Sequence, residues 1–314
     1  MLISVGAALF TLRLAIRAAG RRPEVRMFPD PRDRDFVTTF ELGPEEVPTP
    51  PVEALAAAVA HRHTNRWPFA RSAVPEDAFE HLRDAARREG ARFEGASSVS
   101  RNAIIGLSEV ADSRLRARGG YRAKLARWTL PGRRRVDGVP SSAVGPWDAL
   151  ESLPIRDFGL LQPQMRRASE TFEPHPTIAV LSTVDDAPAD WVTAGQALQR
   201  VLLTATWLNL ATTPISQPVE IPVIRRLLTD QDAGRWAQIV LRLGYGRPAA
   251  TPRRPVADVL LAGPRVPGFV VSSGQAAGSW TTATGAAALV GHPAHHHEVV
   301  ARLIVGADHV GHPR

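Results

Sequence analysis

The chain has 314 residues, 44% of them hydrophobic, which is enough to bury a sizeable core and excludes a disordered polypeptide. It has no cysteine, so disulfides, thiolate metal sites and a cysteine nucleophile are excluded, and a reducing cytoplasm is the expected compartment. The net charge of +7 comes almost wholly from arginine, with Lys124 the only lysine. Arginine suits a bidentate grip on phosphate. The longest basic run, Arg133, Arg134 and Arg135, is explained by a solvated loop, and no aromatic-basic signature points to nucleic acid.

Leu2 to Ile16 is apolar, but Arg13 and Arg17 lie inside and after the run, whereas a secretion signal carries its positive charge first. The run is too short and too charged to span a bilayer, so it reads as a buried amphipathic helix with Gly20 as C-cap. Glu24 to Met27 and Val37 to Leu42 read as two strands around a Pro29-Asp30-Pro31 turn. Pro48, Pro50 and Pro51 break the chain before a helix over Val52 to Ala60. Pro75 opens another helix, with Phe79, Leu82 and Ala86 on one side and Glu76 and Asp77 in its first turn; Gly90 ends it. Ala91 to Phe93 reads as a strand, and Arg101 to Trp128 as one or two helices interrupted at Gly119 and Gly120.

Pro131 to Pro154 is rich in Gly, Pro and Ser and reads as a long loop, either functional or disordered. Thr177 to Thr183 is a continuous apolar run, expected to be a central strand. Asp190 is expected to cap a helix over Trp191 to Leu208. Pro222 to Leu228 reads as a short helix and Ala237 to Leu243 as a buried strand ending at Gly244, Tyr245 and Gly246. Past Leu260 the chain turns to Gly, Ala, Ser and Thr, like an appended tail. Its His292, His295, His296, His297 and Glu298 could ligate zinc or nickel. Consecutive histidines on a regular element cannot all face one ion, so the low-complexity reading is preferred and no metal is assigned.

An internal echo links the two ends of the core: Ile3 to Leu9 aligns with Val192 to Leu198, and each precedes a strand ending in Leu-Gly, at Leu42-Gly43 and Leu243-Gly244. Arg62, His63, Thr64, Asn65, Arg66, Trp67, Pro68 and Phe69 then form a basic segment in which two guanidiniums flank a hydroxyl, a set able to make several charge-assisted bonds to phosphate.

That segment resembles the Arg-x-Ser/Thr-x-Arg-x-Phe opening of the nitroreductases. The resemblance extends to Asp190 to Leu198, Arg242 to Gly246 and Pro252, Arg253, Arg254, Pro255, Val256, which are similar to the Acg-type branch of actinobacteria. It covers most of residues 1 to 260. It implies an α+β, nitroreductase-like fold: a central mixed, mostly antiparallel sheet flanked by helices, in two fused repeats with the first incomplete. The expected divisions are 1–48, closing the first repeat; 49–262, the second repeat with the phosphate site; and 263–314, a low-complexity tail.

By the same resemblance the cofactor is FMN. Arg62, Thr64 and Arg66 with Arg253 and Arg254 would hold its phosphate, and Thr213, Pro214, Ile215, Ser216 and Gln217 would present backbone groups to the ring edge. Salt bridges, and an ordinary helix-to-strand connection, are the plain alternatives for the two sets. No side chain has to act as general acid or base, since the flavin carries the redox chemistry. Gly138 to Ser142 occupies the place of a segment that folds over the flavin in Acg-type relatives; a surface loop is the alternative.

Two departures stand against the pattern. Relatives begin earlier, so a strand pair and one wall of the site are expected to be missing from the first repeat; Leu208, Asn209 and Leu210 replace the usual Gly-Leu-Gly. The functions left open are an NAD(P)H oxidoreductase acting on nitroaromatics or quinones, a non-catalytic flavin store, and a remnant that binds no flavin. The expected assembly is a monomer that mimics a dimer, or a dimer, with no nucleic-acid or membrane partner.

Overall fold

The computed structural model describes residues 1–129, 138–159, 166–229, 235–247, 251–253, 255, 289–291 and 301–304. Helix α1 (Leu2–Ala18) is followed by Gly20 at φ 79°, a left-handed turn that glycine adopts without a Cβ clash. The turn feeds β1 (Arg21–Met27), which pairs antiparallel with β2 (Phe36–Glu45). Thr49 and the paired prolines start α2 (Pro50–His61), since proline at the first helical turn gives up an N–H that has no helical partner. The two carboxylates of the first turn of α3 (Glu76–Arg87) face the positive end of the helix dipole. After β3 (Arg92–Gly95), the Arg101 to Trp128 stretch resolves into two helices, α4 (Ser98–Ala117) and α5 (Tyr121–Thr129).

Two short parallel strands, β4 (Trp147–Asp148) and β5 (Ser169–Glu170), precede β6 (Thr177–Thr183), α6 (Pro188–Trp207) and β7 (Ala211–Ile215). Then come α7 (Gln217–Glu220), α8 (Pro222–Leu228) and β8 (Trp236–Gly244), and finally β9 (Leu289–Gly291) and β10 (Ala301–Ile304). Asp190 lies in the first turn of α6, not at its cap position; that position is Ala187, whose N–H donates to the Asp190 carboxylate at 3.1 Å.

The strands fall into two four-stranded antiparallel sheets, β3-β6-β8-β7 and β1-β2-β10-β9, flanked by helices as the α+β, mostly antiparallel fold requires. Beside β2, the C-terminal β10 and β9 stand where a missing strand pair was expected. In the first-named sheet, Ala179, Leu181, Leu241 and Leu243 pack on Phe79 and Leu82 of α3 and Val201 of α6. The alternate residues Ile178 and Val240 pack with Ile215 and with Ile104 of α4. Helices on both faces explain why Thr177 to Thr183 reads as a continuous apolar run and why β8 is buried along its length. Each valine, leucine, isoleucine or phenylalanine among these side chains contributes about 1.5–3 kcal/mol on full burial.

α1 and α6 cross at two glycines. A Cβ on Gly6 would lie 2.1 Å from the Val192 carbonyl oxygen, and one on Gly195 would lie 2.0 Å from the Ile3 carbonyl oxygen. The contact is reciprocal, and its four residues are those matched in the internal echo. The same chain spacing that separates Gly6 from Gly195 also separates Gly20 from Asn209, and Asn209 takes the left-handed conformation at φ 58°. The hairpins that follow share a register: Pro23, Glu24 and Val25 face Leu42, Glu41 and Phe40, as Thr212, Thr213 and Pro214 face Leu243, Arg242 and Leu241.

Candidate functional site

α2 ends at His61, and Arg62 leaves it in extended conformation, φ −74° and ψ 115°. The chain then runs beside β7 and β8 to Phe69 without a continuous ladder. Among the described residues it pairs through two single bridges, Thr64 with Thr212 and Phe69 with Gly246. Side chains supply the rest. Asn65 is buried and uses its whole amide: its N–H reaches the Thr212 carbonyl at 2.9 Å, its Nδ2 donates to the Arg247 carbonyl at 2.8 Å, and its Oδ1 accepts from the Trp67 N–H at 3.0 Å.

The structure brings Arg62 and Arg253 together. Arg253 Nη2 donates to the Arg62 carbonyl oxygen at 2.8 Å, and Nη1 donates to Thr251 Oγ1 at 2.8 Å. Neither guanidinium has a carboxylate within ion-pair distance among the described residues. Burial, and then the neighbouring Arg253, pull Arg62 down to about 10. His63 lies between them. Its Nδ1 meets Thr251 Oγ1 at 2.9 Å, the Thr251 N–H at 3.3 Å and Arg253 Nη2 at 3.4 Å. With donors converging on Nδ1, the ring is neutral and carries its proton on Nε2. Burial first, then Arg253, Arg62 and His61, lower its pKa to about 4.

Arg66 occupies a different neighbourhood. Its Nη1 donates to the Ala143 carbonyl at 2.9 Å and its guanidinium lies 4.7 Å from the Phe158 ring centroid. Burial, then the charge of Arg156, lower it to about 10. Arg156 is paired with Glu220 and donates to Ser216 Oγ at 3.1 Å. The 138–159 segment therefore lies against Arg66, and it is pinned there: Arg167 donates to the Gly145 carbonyl at 2.9 Å and pairs with buried Asp157 at 2.6 Å. A Cβ on Gly145, at φ 83°, would come within 2.5 Å of the Arg66 carbonyl oxygen.

The remaining sequence candidates divide by what their side chains touch. Thr213 to Ile215 form a strand and not the helix-to-strand connection that was the plain alternative, because β8 lies alongside and pairs with one edge of their backbone. The Thr213 hydroxyl donates to the Asn65 carbonyl, and Ile215 is core, so neither side chain is free for a ligand. Pro214 is half-buried on this edge strand, Ser216 binds Arg156 and Glu220, and Gln217 is fully buried. Gln217 Nε2 donates to the Pro154 carbonyl at 2.9 Å, while its Oε1 has no partner among the described residues. Thr64 is half-buried beside Thr212. Arg254 and the tail histidines lie outside the described residues.

Sequence reasoning missed the residue at the centre. Arg242 of β8 is 0% exposed and forms a bidentate ion pair with Glu173, Nε donating to Oε1 and Nη2 to Oε2, both at 2.6 Å. Its guanidinium lies 3.6 Å from the Phe69 ring centroid. An arginine inside the apolar run Ala237 to Leu243 is itself a signal, since a charge buried on a central strand must be paired. The identity of the partner, 69 residues away, is not readable from the run.

The family model described as "Nitroreductase family" matches residues 59–245. The chain belongs to the nitroreductase family. That match takes in the whole of the basic segment, β6, α6, β7 and β8, and leaves Arg253 outside it. Among similar nitroreductases, a Mycobacterium tuberculosis protein named "Putative NAD(P)H nitroreductase acg" is 30% identical over 269 residues, covering 82% of this chain and 80% of that protein. "Uncharacterized protein Rv3127" of the same organism is 32% identical over 269 residues, covering 82% of this chain and 77% of its own length. Among solved structures, the FMN-dependent nitroreductase NfnB from Mycobacterium smegmatis in complex with NADPH is 14% identical with a TM-score of 0.41, over 67% of this chain and 98% of that one. A nitroreductase with bound FMN from Bacteroides fragilis is 14% identical with a TM-score of 0.38, over 69% and 98%. No described helix is long and apolar enough to cross a membrane.

Proposed function

We propose that this nitroreductase binds FMN beside the 62–69 segment and uses it to pass electrons from NAD(P)H to a nitroaromatic or quinone acceptor. One observation carries the reading: Arg62 and Arg253 are brought together with no carboxylate among the described residues, an arrangement that calls for an anion. The donor set fits a phosphate. The buried, unpartnered Oε1 of Gln217 fits a ligand N–H on the β7 side, as a ring amide would supply. Arg62, Arg253 and Thr64 would hold the phosphate end; Arg66 would face the ring. When bound, FMN supplies hydride acceptance and transfer. The chain's own part is electrostatic: the guanidinium of Arg66, held by the Ala143 carbonyl and the Phe158 ring, would stabilise negative charge that develops on reduction.

The chain reads as two fused repeats, with 1–48 closing the first, 49–262 forming the second and 263–314 a tail. The reciprocal Gly6–Gly195 crossing and the matched hairpin registers support the repeat, which makes one chain equivalent to a dimer. A second functional reading, a flavin store without turnover, is favoured by the 138–159 segment lying directly against Arg66.

Purified protein is expected to show a flavin spectrum and steady NAD(P)H oxidation with a quinone. Arg62→Ala and Arg253→Ala should each weaken FMN binding about 10- to 100-fold, the loss of a charge-assisted bond of roughly 1.5–3 kcal/mol. Flavin without turnover selects the storage reading. Protein that stays colourless after reconstitution with FMN defeats both.

A further inference from the structure

We infer that Arg242 and Glu173 are the positioning pair of this site: they set the conformation of residues 65–69 and so hold Arg62 and Arg66 in their separate neighbourhoods. The inference rests on the proposed FMN site for its functional half only. Its structural half stands on three observations.

The first is that the segment lacks a continuous ladder: among the described residues its backbone is tied to neighbouring strands only near its ends, at Thr64–Asn65 and Phe69–Ala70, so the conformation between them has to be fixed from elsewhere. The second is that Arg242 supplies the missing fixation. Nη1 and Nη2 both donate to the Trp67 carbonyl at 3.2 Å, and Nη1 also lies 3.3 Å from Thr213 Oγ1. Glu173 acts on the same stretch from the other side, its Oε2 accepting from the Phe69 N–H at 2.9 Å. The fork of one guanidinium therefore ties the middle of the segment to β7 and to the chain before β6.

The third is the placement of the two cationic loci. Arg62 leaves the segment at one end, toward Arg253, and Arg66 leaves near the middle, toward Ala143 and Phe158. Rotation of the peptide at Trp67 moves Arg66 directly and Arg62 through Asn65, whose Oδ1 holds the Trp67 N–H. Planarity matters here. A lysine at 242 keeps the charge but cannot make the bidentate pair with Glu173 and reach the Trp67 carbonyl together, nor stack on Phe69.

Two variants test this, Arg242→Lys and Glu173→Gln, with two measurements on each: FMN affinity by fluorescence titration, and amide hydrogen exchange. In at least one folded variant, exchange at Asn65, Trp67 and Phe69 should accelerate at least tenfold while the β6 amides of Ile178 to Leu181 stay protected. FMN affinity should fall at least tenfold in the same variant. The reverse control is Arg62→Ala, which should lose affinity with exchange at 65–69 unchanged. Unchanged exchange at 65–69, or acceleration that spreads equally to β6, overturns the inference, and so does unfolding of both variants, which would assign the pair to global stability. Local acceleration with unchanged FMN affinity also overturns it. If the parent protein itself binds no FMN, the proposed function has failed, and the exchange data alone decide whether the pair sets the segment.

Discussion

The β1–β2 and β7–β8 hairpins follow equivalent helices, start after equivalent left-handed residues and share a register, yet they carry opposite chemistry. Where one pairs Thr213 with buried Arg242, the other pairs Glu24 with Glu41. Thr213 and Arg242 are tied to the basic segment; Glu24 is exposed and Glu41 half-buried on their hairpin. Backbone geometry is thus alike at the two places, and the side chains alone give them opposite charge. Two facing carboxylates repel a phosphate as surely as two guanidiniums attract it.

The largest expected effect separates these positions. Arg242→Met should destabilise the protein by about 3–5 kcal/mol, since it strands Glu173 as a buried unpaired charge. Glu41→Met should cost under about 1 kcal/mol by denaturant titration. Equal losses would show that the hairpins are not distinguished by burial of charge.

A somewhat smaller effect, about 1–3 kcal/mol, is expected for Gly6→Ala and for Gly195→Ala, because each Cβ meets a backbone carbonyl that cannot rotate away. Here the two halves should behave alike. A thermal melt in which one variant is neutral and the other severe would break the reciprocity of the crossing.

The smallest effect sharpens the contrast through pH. His63 belongs to the basic segment and, with its pKa lowered to about 4 from an ordinary 6.5, stays neutral when folded while the unfolded ring protonates. The unfolded state therefore binds more protons between those values. Stability present above pH 6.5 is lost progressively as pH falls toward 4. His63→Gln should flatten that part of the melting-temperature profile; a profile identical to the parent's would show that the ring is not held neutral.

Much of the fold was legible because local rules and tertiary packing agree. The run Thr177 to Thr183 is a strand with those same ends, and Pro75, Gly90 and the proline pair that opens α2 mark real boundaries. Asp190 and Thr213 to Ile215 were misplaced for a shared reason. A carboxylate can bond the backbone from the cap or from the first turn, and a Thr-Thr-Pro stretch becomes a strand only when a partner such as β8 lies alongside. In the site, Arg62 and Arg66 read as one motif but face different neighbours, Arg253 and Arg156.

The sequence by itself determined the chain's inventory: no thiol chemistry, arginine as nearly the sole cation, the apolar runs that must be buried, and a segment dense in guanidinium groups. Those follow from composition and periodicity, which are local. Tertiary structure alone decided that Arg253 meets Arg62 across 191 residues, that Arg242 finds Glu173, and that the 138–159 segment lies on Arg66. A buried charge must be matched by whatever packing brings within about 3 Å, and that distance is a property of the folded chain.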